Sequence, residues 1–401
     1  MALLLSELSG KGLRILEGDM THKTLLIDGT ALRQDAKGVA RYTYHVCAQL
    51  DKLLPPNWKM KIVTFDWLLP HFSSDFRGEF IQVPYKTDLL LGLSYFPKII
   101  KSLQPDIFIR PRESIGIDYS VPTVTVCHDL NELIWPYQPS RSIPRRLFDY
   151  VCQQFRIYAL RRSELAICNS EFVKREAIKQ YRIPTENTRI GYCGVDSRFY
   201  SMAPKVCLSD VRQRYGGEGF LLAFATGDYR ENFNVLPASL ADLKKRRYSG
   251  ALVVAGVKDE SGYAKALMNA FDEYDLIRGK DFFVEPFLGE NQLERLVELY
   301  TAADFYLELS FHEGFGMQLA EAMACGTTCI SSARGALAEV GAQWAIEVDP
   351  CSFKAISAAI CDAWRSEEHE RDNREQVQHI REKFCWDGVG DCLAEFVSHQ
   401  I

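Results

Sequence analysis

The stretch SFHEGFGMQLAEAMACGTTCISS, residues 310–332, joins an apolar run to a run of small residues through a turn with two glycines. The apolar run ends at Ser310, and the small residues predict a helix from near Gly316 to Cys325, stopped by Gly326. A buried strand, a glycine turn and a helix in this order form the repeating unit of sheets with parallel strands. The stretch therefore predicts an α/β fold.

Apolar, β-branched runs of the same kind recur along the chain. They predict buried parallel strands within residues 23–30, 59–66, 106–111, 122–129, 164–170, 220–227, 251–257, 281–287, 303–310 and 327–332. A polar segment at 201–219, with Pro204 and three glycines, separates two groups of strands.

We therefore predict two Rossmann-like, doubly wound α/β domains that face each other across a central cleft. The first takes residues 1–205 and the second residues 206–380, and a helix at 381–401 crosses back to the first domain. Ligands of such sheets bind at the carboxyl ends of the strands, so the chemistry is expected in the loops there.

Composition narrows the class of protein. A chain of 401 residues with 47% hydrophobic residues is long enough for two cores, and its net charge of −6 argues against nucleic acid as a partner. Its 12 cysteines are scattered without a Cys-x-x-Cys pair, which favours reduced thiols in the cytoplasm. The N-terminal apolar run is short and is interrupted by Glu7, so we expect neither a signal peptide nor a membrane span.

Two carboxylates flank the turn in the 310–332 stretch. Glu313 lies in the turn, and Glu321 lies over one turn into the predicted helix. The free N–H groups and the dipole at the start of that helix favour a phosphate, and Gly314 and Gly316 would let the backbone approach it. The two carboxylates suit sugar hydroxyls. Alternatively, Glu321 is a hydrogen-bonded helix carboxylate and the glycines only form a tight turn.

The run EGFGMQLAEAMACGTTCISSARGALAEV, residues 313–340, resembles the signature of family 4 glycosyltransferases, which are retaining enzymes of the GT-B fold. The resemblance implies that Glu313 lies by the donor sugar and that Glu321 binds the nucleotide ribose. It also implies that the backbone of the turn faces the sugar and diphosphate, through Gly314, Phe315, Gly316 and Met317. Gln318 stands where a proline is usual in that family.

The resemblance extends to the first half of the chain. Residues 25–50 are similar to the family's opening strand, glycine loop and first helix, which implies that Gly38 lies near the donor phosphates. Residues 121–136 resemble the segment with the family's active-site histidine, here His128, which would contact the donor sugar or the acceptor. Alternatively, His128 is a buried structural histidine capped by Asp129.

The second half continues the resemblance with one departure. Residues 285–310 are similar to the run that frames the base, so Pro286 and Phe287 are expected near the nucleotide. Arg230 fits a cation that offsets charge on the leaving diphosphate, but Glu231 stands where lysine is common. Three explanations stay open: Lys258 substitutes as the cation, the alignment is locally shifted, or transfer activity is lost.

The resemblance predicts a retaining transferase of polysaccharide biosynthesis that moves a hexosyl unit from a GDP- or UDP-linked sugar. The acceptor is expected to be a hydroxyl of a glycan, a lipid-linked sugar or a natural product. No cofactor is expected, and no metal, since no Asp-x-Asp triplet follows a strand. The alternatives are a catalytically impaired GT-B protein that binds a nucleotide sugar or a partner, and a GT-B sugar phosphorylase or sugar-phosphate synthase.

Two arginine-rich segments bear on the acceptor and on location. Residues 141–162 combine six arginines with apolar residues at near-helical spacing, which predicts peripheral contact with the inner membrane face. Alternatively, this helix packs within its own domain. Arg110 and Arg112 follow a first-domain strand and would hold an anionic acceptor, unless they are simply solvated.

Overall fold

Two parallel β-sheets, one in each half of the chain, organise the protein in the computed structural model. The structure describes residues 22–32, 38–65, 69, 72–129, 143–200, 205–257, 262–286, 288, 292–366 and 373–399. Helices connect most of the successive strands, and all the recorded strand pairs are parallel. None of the helices within these ranges is long and apolar enough to cross a membrane.

The first sheet has seven strands in the order β3-β2-β1-β4-β5-β6-β7. Its strands are β1 (Lys23–Asp28), β2 (Trp58–Phe65), β3 (Glu79–Val83), β4 (Ile107–Arg110), β5 (Thr123–Cys127), β6 (Leu165–Cys168) and β7 (Thr188–Ile190). Its helices are α1 (Gly38–Leu53), α2 (Asp88–Leu90), α3 (Phe96–Leu103), α4 (Ile143–Arg161) and α5 (Glu171–Tyr181). A π-helical turn (Leu91–Tyr95) joins α2 to α3, and 3₁₀ turns lie at Thr185–Asn187 and Ser197–Tyr200.

The second sheet has six strands in the order β10-β9-β8-β11-β12-β13. They are β8 (Phe220–Phe224), β9 (Ala251–Ala255), β10 (Phe282–Glu285), β11 (Phe305–Glu308), β12 (Cys329–Ser331) and β13 (Ile346–Glu347). The helices of this half are α6 (Lys205–Arg214), α7 (Val235–Lys245), α8 (Gly262–Asp272), α9 (Leu293–Ala302), α10 (Met317–Ala324), α11 (Leu337–Gly341), α12 (Phe353–Arg365), α13 (Arg374–Lys383) and α14 (Asp387–His399). A 3₁₀ turn lies at Tyr229–Glu231.

The structure confirms the predicted fold class and places a strand in each of the ten predicted runs. Strands β4, β5, β6, β9 and β11 are buried along their whole length, because helices cover both faces of a parallel sheet. Three strands were not among those runs, namely β3, β7 and β13. All three lie at sheet edges, where exposed positions break the apolar pattern that marks the central strands.

The last helix, α14, packs against α1 of the first domain. Gln49 Nε2 donates a hydrogen bond to Asp387 Oδ1 at 3.1 Å, and the Trp386 ring stacks on His45 with centroids 4.1 Å apart. Just before this return, the Val195 N–H donates to the Phe384 carbonyl at 2.9 Å, so the two connections between the domains run side by side. The domain limits at residues 205 and 380 stay predictions.

Candidate active site

Residues that follow the carboxyl ends of strands in both sheets line one cavity between the domains. The first-domain wall contains Gly38, Val39, Arg41, His128, Asp129 and Asn169, which follow β1, β5 and β6. The second-domain wall contains Tyr300, Glu313, Gly314, Phe315, Gly316, Met317, Gln318 and Glu321, most of them from the turn after β11 and the start of α10. The cavity therefore lies where parallel sheets place their ligands.

The start of α10 is fixed by Gly316. This residue has φ of +92°, and an added Cβ would lie 2.4 Å from Leu337 Cδ2. A left-handed residue of this kind is costly for any side chain other than glycine. The helix then runs over 317–324 with Cys325 as its C-cap, as the sequence predicted. Its first N–H groups have no partner within the helix, and Met317 and Gln318 line the cavity.

Gly314 is explained by a contact between the domains, whereas the sequence suggested close approach of the backbone to a phosphate. A Cβ at this position would lie 2.0 Å from the carbonyl oxygen of His128, in the opposite domain. Next to this contact, Ser170 Oγ donates to the Gly314 carbonyl at 2.7 Å. Gly314 thus allows the two domains to touch by backbone, and this contact accounts for a glycine here without any ligand.

A second contact across the cleft lies at its rim. The Glu339 carboxylate of α11 accepts hydrogen bonds from the N–H groups of Glu171 and Phe172 at the start of α5, at 3.2 and 3.3 Å. Tyr192 donates its hydroxyl proton to the same carboxylate at 2.6 Å. The second domain therefore supplies the anion that the start of a first-domain helix favours.

Glu321 is buried and is held by two partners. Its Oε1 forms an ion pair with Arg41 of α1, and its Oε2 accepts a hydrogen bond from the Tyr300 hydroxyl at 3.3 Å. Burial raises the pKa of Glu321, and Arg41 and Tyr300 oppose that rise. The residue expected to bind the ribose thus lies on the cavity wall with its carboxylate linked to the other domain.

Arg41 is a cavity residue that the sequence analysis missed. It lies three positions after Gly38, in the first turn of α1, and its side chain is 15% exposed. An arginine in the first helical turn after a glycine loop was the available signal, since this turn of a doubly wound domain faces the ligand crevice.

Glu313 lies in a group of acids. Burial, reinforced by the nearby Glu308 and Asp129 charges, raises the pKa of Glu313 to about 8, although Arg230 opposes the rise. Glu308 is itself bound by the hydroxyls of Tyr306 and Ser310, at 2.8 and 2.7 Å. At neutral pH the protonated form of Glu313 therefore predominates, and its carboxylic acid can donate a hydrogen bond to a sugar oxygen.

Arg230 lies beside this acidic group. Its Nη2 and Nε donate to Asp228 Oδ2 at 2.9 and 3.1 Å, and its Nη1 lies 3.9 Å from Asp129 Oδ2 across the cleft. Burial opposes its charge, but the Asp228 and Glu313 carboxylates raise the pKa of Arg230 all the same. The arginine predicted for the leaving group is thus near Glu313, with its hydrogen bonds directed to Asp228.

Glu231 is bound by the turn after β8. Its carboxylate accepts hydrogen bonds from the Thr226 N–H and hydroxyl, both at 2.5 Å, and from the Gly227 N–H at 3.2 Å. It therefore stabilises the turn after β8, a role that lysine, with no acceptor, cannot fill. The described residues that line the cavity do not include Glu231. Lys258, the proposed substitute cation, lies outside the described residues.

His128 has a structural partner and still faces the cavity. Its Nε2 lies 2.7 Å from the Pro111 carbonyl oxygen, and its ring meets Tyr42 edge-on with centroids 4.7 Å apart. Because a carbonyl only accepts, this contact places a proton on Nε2 and leaves Nδ1 of the neutral ring as an acceptor. The backbone N–H of His128 also donates to Glu113 Oε1 at 3.1 Å.

Gly38 and the residues predicted near the base have mixed outcomes. Gly38 begins α1 with φ of +23° and lines the cavity. Pro286 follows β10 and is exposed, and the described cavity wall does not include it. Phe287 lies outside the described residues, while Leu288 lines the cavity.

The two arginines that were predicted to hold an acceptor lie in different surroundings. Arg110 is fully buried, and its guanidinium folds back onto Ser114, donating to the hydroxyl at 3.2 Å and to the carbonyl, so the structure does not bring it to the cleft. Arg112 lines a second cavity, in the first domain, together with His128 and Arg156. Its Nη2 donates to Asp88 Oδ1 at 3.2 Å.

Within the described ranges, no group of three or more histidine, cysteine, aspartate or glutamate side chains has the arrangement of a metal site.

Two family models match the chain and together span most of it. The model described as Glycosyltransferase Family 4 matches residues 36–199, and the model described as Glycosyl transferases group 1 matches residues 209–379. The chain therefore belongs to the family 4 glycosyltransferases, as residues 313–340 indicated. Its two-domain architecture is the GT-B fold, shared with sucrose-phosphate synthase from Thermosynechococcus elongatus: the TM-score is 0.72 at 18% identity, over 94% of this chain and 98% of that chain.

Curated relatives include mannosyltransferases. O-antigen chain mannosyltransferase B of Escherichia coli is 27% identical over 252 residues, which cover 60% of this chain and 62% of that protein. The serotype-specific mannosyltransferase WbdA of Escherichia coli is 27% identical over 312 residues, which cover 72% of this chain and 36% of that protein. The matched stretches thus span less than two thirds of these relatives.

Proposed function

We propose that the chain transfers a mannosyl unit from a nucleotide-diphosphate sugar to a hydroxyl group, with retention of the anomeric configuration. The observation that carries the proposal is one cavity wall that presents Glu313, the open start of α10 and Glu321 in sequence, opposite His128. The mannosyltransferases among the relatives favour mannose, and hence GDP-mannose over a UDP-linked hexose as the donor.

In this proposal each part of the donor has a place in the cavity. The ribose hydroxyls bind Glu321, the diphosphate lies at the N–H groups of Met317 and Gln318, and the sugar lies between Glu313 and His128. A protonated Glu313 donates to a sugar oxygen, and His128 Nδ1 accepts from a sugar or acceptor hydroxyl. The fold holds these hydrogen-bonding groups in position before the nucleotide sugar arrives, which lowers the free-energy cost of ordering them.

The proposed reaction needs no covalent intermediate on the protein. The acceptor oxygen attacks the anomeric carbon from the face that the diphosphate leaves, forming the new C–O bond as the bond to phosphate breaks. The acceptor proton passes to the departing phosphate oxygen. Positive charge at the start of α10 and at Arg230 offsets the negative charge that grows on the diphosphate.

The acceptor is proposed to enter through the first-domain cavity. That cavity shares His128 and Asp129 with the donor cavity and contains Arg112 and Arg156, which suit an anionic group such as a phosphate. A lipid-linked sugar or a growing glycan carried on phosphate has this chemistry. The relatives named for O-antigen and serotype-specific transfer fit such an acceptor.

The surface of α4 supports work at a membrane. Ile143, Leu147 and Tyr150 are 80, 63 and 61% exposed, and the neighbouring Phe148 and Val151 are also exposed. Apolar side chains beside arginines on one helix are typical of a helix that lies in a membrane interface. We propose that α4 rests on anionic lipid at the cytoplasmic face.

Vesicle sedimentation tests the membrane contact. The wild type is expected to sediment with phosphatidylglycerol vesicles and not with phosphatidylcholine vesicles. Leu147→Glu is expected to abolish sedimentation. Ile277→Glu, which alters a second-domain isoleucine that is 55% exposed, serves as the control. Equal sedimentation of wild type and Leu147→Glu would contradict the contact.

Binding and turnover test the transfer itself. Calorimetry with GDP, UDP, ADP and dTDP is expected to give the strongest binding with GDP. Release of GDP from GDP-mannose should then depend on an added acceptor, and the anomeric configuration of the product should be read by NMR. If none of the four nucleotides binds, the proposal is wrong. If inorganic phosphate replaces the nucleotide as leaving group, the chain is instead a phosphorylase.

A further inference from the structure

The ion pair between Arg41 and Glu321 joins the two domains inside the donor cavity. Arg41 comes from the first turn of α1, and Glu321 comes from α10, 280 positions later in the chain. Their side chains are only 15 and 5% exposed. Both Glu321 oxygens have partners, since Tyr300 donates to the second at 3.3 Å. The carboxylate proposed to bind the ribose therefore already has two partners within the protein.

The wall of this cavity presents few positive charges to a diphosphate. A nucleoside diphosphate sugar brings two negative charges, and the start of α10 supplies the equivalent of only about half a positive charge. Arg230 directs its closest contacts to Asp228, and Glu231 supplies no cation. Among the lysines and arginines that the structure describes, Arg41 is the one that lines this cavity.

Geometry permits Arg41 to serve the diphosphate. Glu321 lies four residues after Met317, which is about 6 Å along the helix axis. The flexible stem of an arginine spans that distance by rotation of its side chain, with its backbone unmoved. A guanidinium binds phosphate oxygens with two parallel hydrogen bonds, a geometry at least as favourable as its contact with one carboxylate oxygen.

We propose that Arg41 is a donor-diphosphate ligand supplied by the first domain, and that it leaves Glu321 when the donor binds. The exchange rests on the proposed function of the cavity. The ribose hydroxyls take over the Glu321 carboxylate, and the guanidinium moves toward the start of α10. One cation thus keeps Glu321 satisfied in the empty cavity and then replaces the lysine whose usual position Glu231 fills.

Comparison of a nucleoside diphosphate with its nucleoside tests the exchange. The probe is whichever of GDP, UDP, ADP and dTDP the wild type binds most strongly, together with the matching nucleoside, measured by calorimetry on the full chain. Arg41→Met is expected to weaken binding of the diphosphate by about 10- to 100-fold. It should leave nucleoside binding unchanged or stronger, because Glu321 is then free for the ribose.

The outcomes separate two roles for Arg41. If Arg41 only locks Glu321, Arg41→Met strengthens binding of both probes, and the proposal is wrong. An equal loss for both probes also contradicts it. Binding of the diphosphate by the wild type with no change in Arg41→Met removes this inference but leaves the proposed function intact. A wild type that binds none of the four nucleotides removes both.

Two further variants protect the test from misfolding. Arg77→Met removes an arginine that donates to Asp51 at the other end of α1, outside the cavity, and should change neither probe. Melting temperatures accompany each titration. Should Arg41→Met fail to fold, Arg41→Lys keeps the charge and loses the paired hydrogen bonds, and a loss of about threefold or more for the diphosphate alone is expected.

Discussion

The two ends of the cavity between the domains hold their buried carboxylates in different surroundings. At the Glu321 end, one carboxylate meets one arginine and one tyrosine hydroxyl. At the Glu313 end, carboxylates outnumber cations, because the Glu308 and Asp129 charges act on Glu313, and Arg230 beside it already binds Asp228. The first end is balanced and can hold a ligand without a change of protonation. At the second end the crowding of carboxylates favours a protonated Glu313, so its chemistry depends on which acid carries a proton.

Removal of the balanced carboxylate should have the largest effect. Glu321→Ala removes the carboxylate that pairs with the partly buried Arg41 guanidinium, and with it the proposed ribose ligand. Nucleotide affinity measured by calorimetry is expected to fall about 100-fold or more, and unfolding should cost about 3 kcal/mol less. Asp304→Ala is the matched control, because Asp304 is also a buried carboxylate bound by an arginine, Arg212, at 3.0 Å, and it precedes β11 at the sheet edge opposite the cavity. Equal loss of nucleotide affinity in both variants would contradict the comparison.

Separation of the two walls should have the next largest effect. In Gly314→Ala the added methyl would lie 2.0 Å from the His128 carbonyl, and backbone on both sides resists that approach. Overpacking of this size costs about 1–3 kcal/mol, and because this cost opposes the approach of the two walls that hold the reacting groups, kcat is expected to fall about 10- to 100-fold. Gly262→Ala adds a methyl where nothing lies within 4 Å and should leave kcat unchanged. Unchanged kcat in Gly314→Ala would show that contact between the walls is dispensable.

The crowded end predicts a pH dependence. If protonated Glu313 donates to the donor sugar, kcat/KM should fall above a pH of about 8, reaching about tenfold below its plateau near pH 9. Glu313→Gln should lower the plateau and abolish this alkaline limb, because an amide does not titrate. An alkaline limb that persists unchanged in Glu313→Gln would assign it to another group.

Stability should report the same carboxyl group with a defined sign. The pKa of Glu313 is higher in the folded chain than its ordinary value of 4.5. The folded state therefore binds more protons, and stability decreases as pH rises from about 5 to about 8. Glu313→Gln should melt a few degrees above the wild type at pH 8.5 and at the same temperature near pH 4. A constant difference across this range would contradict the assignment.

Glu231→Lys should have the smallest effect on function. The substitution removes the acceptor of hydrogen bonds from Thr226 and Gly227, so the chain should lose about 1–2 kcal/mol of stability. Nucleotide affinity and turnover should change little, because Glu231 already faces the turn after β8. A large gain in turnover would instead support the impaired alternative, in which Glu231 blocks catalysis.

Local signals explain what the sequence predicted well. The limits of α10 follow from Gly316 and Gly326, and the positions of Glu313 and Glu321 follow from a motif of adjacent residues. The central strands are buried on both faces, so their apolar runs are unbroken. Such features depend on neighbours in the chain, which a sequence displays.

Contacts between distant segments account for the rest. Arg41 acquires its role from a residue 280 positions away, and Gly314 acquires its reason from a carbonyl in the other domain. Arg110 is the last residue of β4, and the loop after it folds back so that Ser114 accepts hydrogen bonds from the guanidinium. None of these outcomes is encoded by a spacing or a residue type, since each depends on how separate segments meet.

The side-by-side connections near Val195 and Phe384 limit how the cleft can open. A hydrogen bond joins them, and a Cβ on Gly194 would lie 2.5 Å from the Trp386 backbone nitrogen. The two connecting segments therefore form one narrow, closely packed hinge. A hinge of two hydrogen-bonded segments resists twisting and sliding more than a single segment does. The second domain should therefore rotate about this hinge in one direction, and the parts of the cavity wall farthest from the hinge should move farthest.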